Sequence, residues 1–570
     1  MPAETFGLAR MDRLRDPVRQ VIQPLDAPHP AYVLFVSISD GDRRASVATV
    51  GADSFDAAWQ KALIAARDLL DSQRLDGRLL RIDWPVRIEK ITVKTLHKQL
   101  GRTKRNYFRL GLSLDDQFET AFLDNELNAN AMLYGGNKVE HCVLNKRNFA
   151  LYAKTRFGKA FETDFAEARA LWAFTTSGFF LDEEGRHYRL CGEGAGSGQR
   201  EGQPLDRAML DRLIDSSSSY LASQVKPDGA FVYGYHPCFD REIRTYNVLR
   251  HASTTYAMIE AYEVTRDSKT RAAIERSLGQ LTGHLTRIAR LPDGAEAAFL
   301  IDVGSEIKLG GNAVFLLALA KYTSVMSDDR YLPLMDKLAT GIVHMQDAKT
   351  GEFRHVLLYP DLSTKAEFRT VYYDGEAAFA LMRLYALTRD IRWISAVEKA
   401  FEHFLRRNYT QYHDHWLGYC ANELTLFRPE ERYFRFCVEN VSTYLDFVAN
   451  RITTFPTLLE LMMATRQALS RIADHPDLVP LLGEIDLAAF EVALEKRAHY
   501  LLNGHFYPEV AMFMRNPRRI MGSFYIRHHA FRVRIDDVEH YLSGLIAYRA
   551  YLNEKEAFKS LVSRQEGAGS

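Results

Sequence analysis

The chain has 570 residues, with 73 Lys and Arg balanced by 73 Asp and Glu. It is therefore long enough for at least two domains and carries no net field to attract nucleic acid or an anionic membrane. Its cysteines, Cys142, Cys191, Cys238, Cys420 and Cys437, share no Cys-x-x-Cys spacing, which suits reduced thiols better than a disulfide framework or a zinc cluster.

From the N-terminus, MPAETFGLARMDRLRDPVRQ breaks every apolar stretch with charge, so no secretory segment is expected. No uninterrupted apolar run approaches the roughly 20 residues of a bilayer span. The reading is a cytoplasmic protein without a membrane span or nucleic-acid partner. Residues 1–190 read as an α+β domain. AYVLFVSIS and RASVATV flank DGD, a hairpin signal, because Asp-Gly accepts the positive φ of a tight turn. DSFDAAWQKALIAARDLLDS has apolar residues at helical spacing behind an N-cap at Asp53 or Ser54, and LLRIDWPVRIEKITV returns to strand. NELNANAMLYGGNK sets Glu126, Asn128 and Asn130 together before a Gly-Gly turn, with no mechanism attached. Residues 191–204 are Gly-rich without the Lys-Ser/Thr of a phosphate loop, and read as a linker.

From 205 to 560 the period is helical throughout. YAMIEAYEVTRD and FALMRLYALTRD match almost position for position, and FLLALAKYTSVMSDD and LSGLIAYRAYLNEKE repeat the theme. The anchors Tyr262, Tyr322 and Tyr385 stand about 60 residues apart, room for one helical hairpin each, and Tyr548 closes the series. Roughly six hairpins fit, a number that suits closure into a mainly α toroid whose inner helices are apolar nearly all round. Residues 561–570 read as a disordered tail.

Eleven residues before each anchor stand His251, Gly311, Asp374 and Asp537. Equivalent copies would bring these to the N-termini of inner helices around one rim, where helix dipoles favour anionic groups. The neighbouring segments add Tyr246, Asn247, Arg250, Lys308, Asn312, Tyr373, Glu376, Glu439, Asn440, Arg534, Asp536 and His540. Aromatic rings beside amides, guanidinium groups and paired carboxylates suit a sugar site. The His-Asp-His at 413–415 and the pair His528-His529 lack the i, i+4 spacing of a helical metal pair, so no metal and no cofactor is expected.

On the hairpin period and polar rim, the helical part resembles the (α/α)6 toroid, or six-hairpin glycosidase-like, superfamily. That resemblance implies a carbohydrate-active enzyme on a polysaccharide or oligosaccharide, most simply a glycoside hydrolase. Asp374 and Asp537 would be its acid/base pair, Glu376 and Glu439 would stand in if the register is off by a turn, and His251 would join the catalytic set. A sugar or uronate epimerase or lyase using the same funnel is the alternative. A third reading is a non-catalytic glycan-binding or scaffold protein of a polysaccharide or cell-envelope assembly system, with the N-terminal domain meeting a protein partner.

Overall fold

A computed structural model describes residues 3–158 and 166–568. The chain forms two compact units, neither continuous in sequence.

The first unit takes residues 1–204, 234–243 and 503–533. Its centre is a seven-stranded sheet of antiparallel pairs in the order β2 (Ser46–Ala52), β1 (Tyr32–Ser39), β3 (Leu79–Thr92), β6 (Ala170–Leu181), β4 (Gly111–Ser113), β5 (Ala121–Phe122), with β7 (His187–Leu190) also on β6. β1 and β2 form the hairpin expected around Asp-Gly, and Gly41 supplies the positive φ of 85°. Ser54 is the N-cap of the helix Phe55–Gln73, accepting from the Ala57 amide. Trp59, Ala62, Ala66 and Leu70 on that helix share one core with Leu34, Val36, Leu80 and Ile82 of the sheet. The Gly-rich stretch is folded back rather than loose: the Cys191 and Gly198 amides donate to the Gln199 and Cys191 carbonyls.

The second unit takes residues 205–233, 244–502 and 534–570. Among the described residues, six helices form its inner ring: Val248–Thr265, Leu309–Met326, Tyr372–Thr388, His415–Leu424, Thr457–Ala473 and Ile535–Tyr551. Each packs on the next, and the sixth packs on the first. Outside them lie Arg207–Gln224, Ser268–Gln280, Leu332–His344, Ile391–Arg406, Glu431–Ser442 and Leu487–Leu501. The closed ring is the (α/α)6 toroid. The second inner helix, Leu309–Met326, is long and apolar enough to cross a membrane by length and composition. It is buried at every position from Leu309 to Ala320 and packs between the first and third inner helices. A final helix, Lys555–Ala568, covers most of the expected tail, and residues 569 and 570 lie outside the described residues.

Candidate active site

Contacts between the first turns of the inner helices bring those turns together at one end of the ring. Arg250 on the first helix pairs through Nε with Asp536 on the sixth at 2.7 Å, and Ser253 donates to Glu539 Oε2 at 3.1 Å. Between the fifth and sixth, Glu460 Oε1 lies 2.9 Å from His540 Nδ1. The rings of His415, which opens the fourth helix, and His540 stand 5.4 Å apart, edge to face. On the second helix, Gly310 comes so close to the third that a Cβ there would lie 2.0 Å from Glu376 Oε2. His251, Gly311, Asp374 and Asp537 all fall in the first turn of their helices, so the repeat register holds.

Two histidines with opposite surroundings sit at the centre. Burial alone would keep His540 neutral, but Glu539 and Glu460 outweigh it and raise its pKa to about 10. Glu539 is itself pushed up to about 8, by burial first. His415 Nδ1 lies 3.4 Å from Asp414 Oδ1, whereas its Nε2 is buried without a hydrogen-bond partner. An imidazole nitrogen without a hydrogen-bond partner can serve as a lone-pair acceptor. Asp414 caps the fourth helix by accepting from the Leu417 amide at 2.9 Å, and Asn440 donates to the Asp414 carbonyl at 2.9 Å. Glu376 completes the group. Burial, then Asp414 and Glu539, push its carboxyl well above the usual range, and its Oε2 has no partner.

Glu460 also lines a cavity of about 170 Å³ together with Tyr256, Glu260, Phe379, Trp416 and Tyr419, whereas His415, His540, Glu376 and Glu539 are not in its lining. Phe379 and Tyr419 stack at 5.5 Å, and the Tyr419 hydroxyl donates to Glu460 Oε2 at 3.4 Å. Apolar faces with a few polar groups resemble the lining of a small-molecule site, although the volume is below the roughly 300–1,000 Å³ of such sites.

Other residues singled out in the sequence are spread around this centre. Asp374 is 1 % exposed and turned to His355, 3.3 Å away, and to the Tyr409 hydroxyl at 3.4 Å, while Asp537 lies 3.5 Å from Arg534. His251 does not belong to the rim chemistry. Its ring nitrogens bond Tyr246 Oη at 2.9 Å and Ser277 Oγ at 2.8 Å, and burial lowers its pKa to about 3, which makes it a packing histidine. Asn247 is the N-cap of the first inner helix. Asn312 is tied to both backbone groups of Leu300. Lys308 is paired with Asp302 at 2.7 Å, and Arg534 with Asp536. Tyr373 packs on the ring of His355 at 5.4 Å. Glu439 is exposed on an outer helix, so it cannot stand in for a rim carboxylate, while Asn440 holds the 413–415 turn from behind.

No protein family matches the sequence, and no curated protein does. Solved structures do match in fold. A D-mannose isomerase shares 10% identity over 61% of this chain and 99% of its own, with a TM-score of 0.46. A cellobiose 2-epimerase from Bacillus thermoamylovorans shares 11% over 60% and 100%, at 0.45. An unsaturated glucuronyl hydrolase specific for heparin shares 10% over 61% and 99%, at 0.42. The likeness is one of fold.

His415, Glu460 and Glu539 escaped sequence reasoning. The fourth and fifth inner helices lack the anchor tyrosine, so their first turns had no register. The His-Asp-His at 413–415 was the available signal, and its meaning lies in the turn that opens the fourth helix. His415, Glu460 and His540 offer ligand atoms within 4.8 Å of one another, a donor set a metal ion could use. A metal there would have to displace the hydrogen bond between His540 Nδ1 and Glu460 and the proton that two carboxylates hold on the ring.

Proposed function

We propose that the helical unit is a carbohydrate-active enzyme that moves a proton at a sugar carbon next to a carbonyl, epimerising or isomerising the sugar, with His415 and His540 as its base and acid. The observation that carries this reading is the pair of imidazoles 5.4 Å apart, one kept charged beside Glu460 and the other with a bare Nε2. A proton shift needs a base to remove hydrogen from carbon and an acid to place one on oxygen or carbon. His415 Nε2 would accept the first proton, with Asp414 stabilising the imidazolium formed. His540 would deliver the second, and Glu460 would hold its ring in place. The aromatic walls suit the C–H faces of a sugar, and Glu460, Glu260 and Ser543 suit its hydroxyl edges.

One observation favours hydrolysis instead. Burial raises the Glu376 carboxyl well above the usual range and its Oε2 is bare, both of which suit a general acid. Incubation with a panel of mono- and oligosaccharides in deuterated water separates the two. Deuterium at a sugar carbon, lost about 10²-fold or more in His415→Gln and His540→Gln, supports proton transfer. New reducing ends without deuterium, lost in Glu376→Gln, support hydrolysis and sink the histidine reading.

A further inference from the structure

The α+β unit contains a cavity of about 590 Å³ on which Arg43, Arg44, Arg156 and Arg515 converge, with no Asp or Glu among the described residues of its lining. Two of these charges are neutralised by the protein: Arg156 pairs with Glu126 at 3.1 Å and Arg43 with Asp40 at 3.3 Å. Arg44 and Arg515 are not. Arg44 donates from Nη1 to the Ala129 and Phe513 carbonyls at 2.9 and 2.8 Å, and from Nη2 to the Cys238 carbonyl at 2.9 Å. These bonds fix its guanidinium to three separate segments without cancelling its charge. Arg515 is exposed and has no ion-pair partner among the described residues. Burial and the neighbouring Arg515 both lower the Arg44 pKa, yet a guanidinium remains charged at any physiological pH.

The segment NELNAN builds the adjoining wall. Glu126 is fully buried and accepts from the Tyr152 hydroxyl at 2.6 Å as well as from Arg156. Asn130 donates to the Glu126 carbonyl at 2.8 Å and Asn148 to the Ala131 carbonyl at 3.0 Å, leaving their amide oxygens to accept from ligand hydroxyls. Leu69, Leu151 and Phe239 supply apolar surface. The volume falls within the roughly 300–1,000 Å³ of small-molecule sites.

We propose that this cavity binds a sugar-sized molecule carrying a phosphate or carboxylate, with Arg44 and Arg515 as the anion clamp and Asn130 and Asn148 on its hydroxyls. Guanidinium groups present paired donors that match either oxyanion. The site is separate from the toroid's chemistry and does not depend on it.

Calorimetric titration of the full-length protein at low salt with glucose 6-phosphate, glucuronate and inorganic phosphate tests the idea and tells phosphate from carboxylate. The expected result is saturable binding by at least one sugar anion, weakening as salt rises. Arg515→Glu should weaken it roughly tenfold or more with an unchanged melting temperature, since the exposed Arg515 side chain has no hydrogen bond or ion pair to lose among the described residues. Arg44→Gln should do the same where circular dichroism shows it folded. Absence of saturation by all three anions, or affinity indifferent to Arg515→Glu, overturns the proposal.

Discussion

His540 owes its proton to its neighbours, and that makes its contribution to stability depend on pH in a stated direction. Its folded pKa of about 10 lies above the ordinary 6.5. The charged form therefore contributes stability that is complete below pH 6.5 and is lost as pH rises through about 10. Glu539 is also raised, so its contribution declines with pH in the same sense, but through the lower window from 4.5 to about 8. Melting temperatures of the wild type and His540→Gln should differ most below pH 6.5 and converge toward pH 10, with the part of the convergence above pH 8 belonging to His540. A gap that stays constant across that range would mean that His540 is not held charged by Glu460 and Glu539.

At the level of elements, the site depends on how closely the inner helices approach. A Cβ at Gly310 would lie 2.0 Å from Glu376 Oε2 and 2.5 Å from the Tyr373 ring, so this glycine is what lets the third helix lay Glu376 against the second. Alanine would add roughly 1 kcal/mol of helix propensity. Overpacking costs about 1–3 kcal/mol, and the contact is short enough for the penalty to win. Gly310→Ala should therefore lower the urea midpoint and, by displacing Glu376, impair whichever reaction the site performs. A variant at least as stable as the wild type would show that Glu376 has room to move. The same helices explain what the sequence could reveal. Tyr262, Tyr322, Tyr385 and Tyr548 repeat because they anchor equivalent helices, and counting back from them reaches the first turns of four inner helices. The fourth and fifth helices kept the fold without the tyrosine, so His415 and Glu460 carried no periodic mark. His251 shares the register of Asp374 but turns outward to Ser277 on the adjoining outer helix, a difference of side-chain direction that spacing does not encode.

At the scale of the whole molecule, neither compact unit is a continuous piece of the chain. Residues 234–243 and 503–533 leave the helical sequence to complete the α+β unit. Their anchors lie far away in the chain. Arg81 donates to the Glu509 carbonyl, Arg200 pairs with Glu509 at 2.7 Å, Arg105 donates to the His528 carbonyl, and Arg44 reaches both Cys238 and Phe513. Phe506, Phe513, Phe524, Tyr525 and Phe531 are buried in the same segment. A chain cut to residues 205–570 would expose these rings and take away the Arg200 and Arg81 partners of Glu509. The truncated protein should consequently aggregate or show exposed apolar surface by dye binding. Co-expression with residues 1–204 should return it to a soluble complex that melts cooperatively. If 205–570 alone is monomeric and as thermostable as the full chain, the 503–533 segment does not need the sheet, and the discontinuous unit is not a folding unit.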